Sequence, residues 1–382
     1  MPGVIHIITS LDKGGAQRNT LESVAQLHRA DRPQLLFTGQ PSPGQTAALD
    51  DEAKRRLGER FIRLRHLVHP ISPRRDMLAL LEMTRVLQRA VHQMRPPVVL
   101  HTHSSKAGLL GRLVAGSMRG VHSVFTQHGF AFDGFPAHRQ YIAVASEKLA
   151  GAATDVMVFV SDDDRQRALR MQLAPRAEHR VIRSGVSPHP FVDIDRSNDA
   201  RRRARRALGL DENVPLAVTV GNLKLQKDPL LHVRILHAWR QREPNAELLL
   251  LGDGPLRGDT EQLARDLGVD DALHLPGFVK DPCLALQAAD VFLLASAWEG
   301  LPRASLEAIC SGIPMVVREC GYAHELDFVD EGLAVLDFDA APDAYAQKLV
   351  ARGPAPKRWL PARFTLRGML DDLDALYDEM LA

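Results

Sequence analysis

The sequence predicts an α/β protein built from two doubly wound, Rossmann-like domains that face each other across a cleft. Three observations lead there. Short apolar runs alternate with longer amphipathic stretches, as parallel strands and crossover helices do. The alternation halts in a charged stretch and then restarts. At 382 residues the chain also exceeds the ~100–200 residues of one compact core.

In the first half the strand candidates are VIHIIT (4–9), QLLFT (34–38), FIRL (61–64), VVLHT (98–102), SVFTQ (123–127) and VMVFVS (156–161). A Gly- or Ser-rich turn follows each, then helical periodicity, the signature of a sheet covered on both faces. The charged stretch DIDRSNDARRRARRALGLDENV comes next, and its arginines are expected on the solvated face of a helix. In the second half the candidates are PLAVTV (215–220), AELLLLG (246–252), ALHLP (272–276), DVFLLA (290–295), PMVV (314–317) and LAVLD (333–337). RGPAPKRWLPARF reads as a linker and LRGMLDDLDALYDEML as an amphipathic helix. The expected division is residues 1–185 and 186–363.

Composition narrows the function classes. Apolar residues make up 45% and charged residues 25%, so the chain is globular. A net charge of +1 argues against nucleic-acid partners held by phosphate contacts. Cys283, Cys310 and Cys320 lack metal-type spacing, so a reduced, cytoplasmic setting is expected. The first residues, MPGVIHIITSLDKGG, carry no basic region ahead of a long apolar run, and no segment is apolar enough to span a bilayer. Peripheral contact with a membrane surface stays open.

Ligands of open α/β sheets bind beyond the carboxyl ends of the strands. The loops there carry the interesting residues. SLDKGGAQRNTL offers Gly14, Gly15 and a helix N-terminus, a place for a phosphate without dinucleotide-fingerprint spacing; a plain strand–turn–helix connection fits equally. VGNLKLQKDPLL places Lys224 and Lys227 before a helix, where a lysine can neutralise a diphosphate. GDGP (252–255) is turn chemistry after an apolar strand, and GFVKD offers Phe278 and Val279 as a wall for a base. Either could be structural. His103 and His128 stand just past strand ends. A lone histidine more often serves structure, but His128, followed by Gly129 at a strand terminus, is better placed than most. The run Asp162–Asp164 suggests metal, but Ser161 before it reads as an N-cap and the acidic residues suit a first helical turn.

The most informative stretch is ASAWEGLPRASLEAICSGIPMVV, at 295–317. Pro302 fits the first turn of a helix. That leaves Glu299 in the loop and Glu307 more than a turn inside. The N–H groups of Gly300 and Leu301 would be free for an anion or a sugar hydroxyl. Two carboxylates held apart by a helix terminus suit a ligand with hydroxyls at both ends and phosphates between.

The block EGLPRASLE has E-x7-E spacing and resembles the signature of retaining glycosyltransferases of family 4, which have the GT-B fold. GGAQR, HTHSSKAGLLGR, TQHGF, VIRSGV, VGNLKLQKD, GDGPL and LPGFVKD occur in that family's order and span nearly the whole chain. The resemblance implies a sugar nucleotide as donor, a glycan or lipid-linked acceptor, no metal and no other cofactor. It implies that Gly15 approaches the diphosphate, His128 sits at the reacting centre, Lys227 binds the diphosphate, Glu299 holds the transferred sugar and Glu307 the ribose. It also implies that a terminal helix, 364–382, packs back on the first domain. Asn222 stands where many members have Arg, and Ser184-Gly185 where they have Asn-Gly. A sugar-nucleotide epimerase and a non-catalytic binding subunit are the alternative readings.

Overall fold

The computed structural model describes residues 1–12, 14–41 and 49–382. Lys13 of the SLDKGG loop lies outside the described residues. The chain divides into two compact units, one of Met1–Gly185 with Leu366–Ala382 and the other of Val186–Thr365.

The first unit contains β1 (Gly3–Ile8), α1 (Gly15–Gln26), β2 (Gln34–Thr38), α2 (Asp50–Leu57), β3 (Phe61–Arg63), α3 (Pro73–Met94), β4 (Val98–His103), α4 (Ser105–Ala115), β5 (Val121–Gln127), α5 (Ala137–Gly151), β6 (Val156–Phe159), α6 (Asp162–Arg170) and β7 (Glu178–Val181). Its seven strands are parallel in the order β3-β2-β1-β4-β5-β6-β7. Alternation along β1 shows how the sheet is covered. Ile5 and Ile7 point into a core with Ala79, Met83 and Leu87 of α3 and Leu110 and Val114 of α4. Val4 faces the other way.

The second unit contains α7 (Asn198–Ala207), β8 (Leu216–Val220), α8 (Pro229–Arg240), β9 (Glu247–Leu251), α9 (Arg257–Asp266), β10 (Leu273–Gly277), α10 (Cys283–Ala288), β11 (Val291–Leu294), α11 (Arg303–Ser311), β12 (Met315–Arg318), β13 (Leu333–Leu336) and α12 (Pro342–Ala351). Its six strands run in the order β10-β9-β8-β11-β12-β13. Ala217, Leu248, Val291 and Leu293 pack on Val233, Leu236 and Trp239 of α8 and Leu349 of α12. Helix α13 (Leu366–Leu381) then returns to the first unit, where Met369, Leu370, Leu373, Leu376 and Tyr377 bury against Val4, Val99, Val124 and Val158. Buried Arg32 fixes its register by pairing with Asp374 and Asp378.

Three expectations need correction. The sequence reading missed β7. EHRV is a half-buried edge strand without an apolar run, so it carries no periodic signal. The arginines of α7 are not all solvated: Arg205 is buried and donates to Asp290 (2.8 Å) and to the carbonyl of Ala288 (2.9 Å), and Arg201 reaches Asp290 at 2.7 Å. A half-buried carboxylate on a neighbouring segment took two of them from the solvent face. Pro302 is the N-cap of α11 with extended backbone, one residue earlier than expected.

Candidate functional site

In each sheet the strand order reverses direction once, and loops on both sides of the reversal leave a crevice at the carboxyl ends. In the second unit the reversal lies between β8 and β11. Lys227 sits in the loop after β8 and Glu299 in the loop after β11. Their ammonium and carboxylate form a direct ion pair, with 18% and 7% of the side chains exposed. Gln226 donates to the other oxygen of Glu299 at 3.3 Å.

Several contacts hold this pair. The N–H of Ala297 donates to the Gln226 carbonyl at 2.8 Å, tying one loop to the other. His232, buried in α8, donates from Nδ1 to the Asp228 carbonyl (2.9 Å), and its Nε2 accepts from the N–H of Ala295 (3.2 Å). Burial lowers the pKa of His232, in keeping with a neutral ring used as a brace. Asp228 caps α8 through the N–H of Leu231 (3.2 Å) and receives Arg318 at 3.2 Å. Sequence reasoning missed Gln226, His232 and Arg318. His232 was detectable only as a histidine in an apolar helix.

The GDGP turn props the Lys227 loop. The N–H of Leu223 donates to the Asp253 carbonyl (3.1 Å), and that of Leu256 to the Leu223 carbonyl (3.0 Å). Gly252 lies so close to Gly221 that a Cβ would stand 1.9 Å from its carbonyl oxygen. Glycine is therefore required there by contact.

Gly300 and Leu301 are buried, and among the described residues no carbonyl accepts from their N–H groups. With the first turn of α11 they form a ready anion seat. Glu307 projects from α11 with Arg303 at 3.7 Å. Phe278 follows β10 and is 43% exposed. Asn222 and Lys224 are half-buried beside Lys227 in sequence. So the structure brings Lys227 to Glu299 and sets Gly300 and Leu301 next to them in the loop after β11.

In the first unit the reversal lies between β1 and β4. Ser104 (φ 64°) bonds the Thr9 hydroxyl at 2.7 Å, stitching the two loops there. Gly15 opens α1 and is exposed. His128, partly exposed after β5, contacts His103 at 3.3 Å. Behind it lie His6 and His101, which sequence reasoning did not single out. Parallel register sets His6 beside His101. The signal was a histidine inside the apolar strand VIHII. Ser161 caps α6 through the N–H of Asp164, as expected. Burial, with Asp163 beside it, raises the Asp164 carboxyl to about 7. Among the described residues, Asp162–Asp164 form no metal-holding cluster. No described helix is long and apolar enough to cross a membrane.

Residues 200–349 match the model of the glycosyl transferases group 1 family, and residues 14–185 match a glycosyl transferase 4-like domain. An Escherichia coli UDP-Gal:alpha-D-GlcNAc-diphosphoundecaprenol alpha-1,3-galactosyltransferase is 30% identical over 66% of this chain and 64% of its own length. A Mycobacterium tuberculosis GDP-mannose-dependent alpha-(1-6)-phosphatidylinositol monomannoside mannosyltransferase is 31% identical over 58% of this chain and 62% of its own. The matches span about three fifths of the first curated relatives (64%, 58% and 55%). Among solved structures, sucrose-phosphate synthase from Thermosynechococcus elongatus superposes with a TM-score of 0.71 at 18% identity, covering 100% of this chain and 95% of that one. An Anabaena protein in complex with UDP and glucose gives 0.72 at 16% identity, covering 100% and 96%.

Proposed function

Because the chain belongs to the glycosyl transferases group 1 family, we propose that it moves a hexosyl group from a nucleoside-diphosphate sugar to an acceptor hydroxyl, with retention at the anomeric carbon. The observation that carries this is the Lys227–Glu299 pair astride the β8/β11 reversal, beside the bare N–H groups of Gly300 and Leu301. A diphosphate there would meet one mobile cation and two fixed donors. It would draw Lys227 from Glu299 and free a carboxylate for sugar hydroxyls.

In this reading the bond from the anomeric carbon to the diphosphate oxygen breaks and one to the acceptor oxygen forms on the same face. The acceptor proton passes to the departing phosphate oxygen. Lys227 and the N–H groups stabilise the charge gathering on that oxygen, where preorganised donors are worth most. Glu307 binds the ribose, Phe278 lies against the base, Gly15 lets the backbone approach the phosphates and His128 stands at the sugar. No metal or other cofactor takes part. The acceptor is a glycan or lipid-linked saccharide of bacterial surface polysaccharide synthesis, and the protein works in the cytoplasm, at or near the membrane face.

The test uses UDP-galactose, UDP-glucose and GDP-mannose with a diphosphate-lipid-linked N-acetylglucosamine acceptor, in EDTA. The expected product is an α-linked disaccharide. A new sugar nucleotide formed without acceptor would show an epimerase instead, and an inverted linkage would overturn the mechanism. Turnover lost in EDTA and restored by Mg²⁺ would return Asp162–Asp164 as ligands.

A further inference from the structure

Three histidines of the first unit, His6, His103 and His128, are linked in a definite order. The amide nitrogen of buried Gln34 donates to the Leu27 carbonyl at 3.3 Å, and that carbonyl can only accept. The oxygen Oε1 of Gln34 therefore faces His6 Nε2, at 2.9 Å, and must receive a proton from it. A neutral His6 then has a lone pair on Nδ1. His103 Nε2 lies 3.1 Å from that atom and must carry the next proton. His103 Nδ1 is left as an acceptor, so the proton between it and His128, at 3.3 Å, belongs to His128 Nε2. His128 Nδ1 ends the chain as a lone pair, with no protein partner among the described residues.

We propose that Gln34, His6 and His103 form a buried, proton-ordered relay that fixes the tautomer of neutral His128, with its proton on Nε2 and its Nδ1 able only to accept. On the reading of His128 given above, that nitrogen takes a hydrogen bond from a hydroxyl of the bound sugar. Gln34, His6 and His103 are positioning residues. They act through His128 by deciding which of its nitrogens donates.

Burial supports a neutral chain. Gln34, His6 and His103 are fully or almost fully buried. Desolvation lowers His6 and His128 to about 4 and His103 well below its ordinary value. The competing occupant of the cluster is a metal ion, because nitrogens of His6, His101 and His103 lie within 4.8 Å of one another. His101 does not serve it. Its Nδ1 bonds the Tyr377 hydroxyl and its Nε2 the Thr126 hydroxyl, each at 2.6 Å. Two ring nitrogens remain, fewer than the three or four protein ligands of a zinc site. The two occupants also predict opposite polarity. A metal between His6 and His103 would leave the His103 proton on Nδ1 and make His128 Nε2 the acceptor.

The experiment is ¹⁵N NMR of the full chain with ring-labelled histidine, assigned by His128→Asn. We expect His128 as the Nε2–H form, with less than one-tenth equivalent of zinc in the purified protein. Gln34→Leu removes the anchor, and the cheapest repair turns every proton around, so His128 should become Nδ1–H. Turnover should then fall about 10²-fold, the lower end for a misassigned proton-transfer or hydrogen-bonding group, with KM for the donor within about threefold. Gln34→Glu, buried as the neutral acid, donates its O–H to the Leu27 carbonyl, keeps an acceptor facing His6 and should restore both the tautomer and most of the rate. Wild-type His128 protonated on Nδ1, or stoichiometric zinc, overturns the relay; if Gln34→Leu does not fold, the wild-type spectrum alone decides. An Nε2–H His128 that flips in Gln34→Leu without change in turnover supports the relay and instead removes His128 from the reaction.

Discussion

Glu299→Gln tests the donor site most directly. The carboxylate is almost wholly buried, with Lys227 on one oxygen and Gln226 on the other. Glutamine matches its shape but removes the charge and turns one acceptor into a donor. That donor must face either the Lys227 ammonium or the Gln226 amide, which are themselves donors. Removing one member of a fully buried pair costs about 3–5 kcal/mol. Lys227 keeps 18% exposure and a flexible stem, so part of its solvation is recovered. A cost of about 2–3 kcal/mol follows. For a unit of this size each kcal/mol shifts Tm by about 2–4 °C, giving a fall of roughly 4–12 °C. Binding should respond differently. The variant frees Lys227 from its resting partner, so affinity for UDP or GDP should hold or tighten a few-fold. Turnover should drop by about 10²-fold or more, because the contact with the transferred sugar is lost. Thermal unfolding, calorimetry with the sugar-free nucleotide and kcat with the donor together decide it. A tenfold loss of nucleotide affinity with normal turnover would show that the two glutamates have each other's roles.

Glu307→Ala should weaken the free nucleoside diphosphate and the intact donor alike, since both carry the ribose; unchanged calorimetric affinity for both removes Glu307 from the site. Gly252→Ala should destabilise by about 1–3 kcal/mol and loosen nucleotide binding, because its Cβ would press the Gly221 carbonyl and the Lys227 loop behind it. Gly268→Ala, also at positive φ but with open space around it, is the control and should cost about 1 kcal/mol with binding intact. Stability should fall as pH drops from 6.5 toward 4. Burial depresses His6 and His128 to about 4, so below 6.5 the unfolded chain takes up protons that the folded one refuses. Each contributes up to about 1.4 kcal/mol per pH unit in that window, and Asp164, raised to about 7, acts in the opposite direction over the same range. A Tm that stays flat between pH 7 and 5 would refute the neutral histidine cluster.

The strands were legible wherever burial on both faces wrote an unbroken apolar run, as in ELLLL of β9. EHRV of β7 was not, because an edge strand needs only half its surface covered. The E-x7-E block announced Glu299 and Glu307 through spacing and turn chemistry. The partner of Glu299 was not readable from that block, because Lys227 reaches it across the β8/β11 reversal, which only the strand order reveals. The same holds for the histidines. His6 lies on β1, far in sequence from His101 and His103 on β4, and parallel pairing of the two strands makes them neighbours. The arginine run misled because charge in a sequence does not show whether a carboxylate such as Asp290 waits on another segment.

Helix α13 puts an unusual condition on biosynthesis. Its Leu373, Leu376 and Tyr377 cover the face of the first sheet that carries Val4, Val99 and His101, yet it follows the whole second unit in the chain. On the ribosome, residues 1–185 emerge first but remain uncapped until Val186–Thr365 has been made. In the interval an apolar sheet face and a buried histidine stand open to water and to other chains. A stop codon after Gly185 would fix that vulnerable interval as the final state. Residues 186–365, whose ends meet where the Val186 N–H donates to the Phe364 carbonyl at 3.1 Å, can be cut out as one uninterrupted piece.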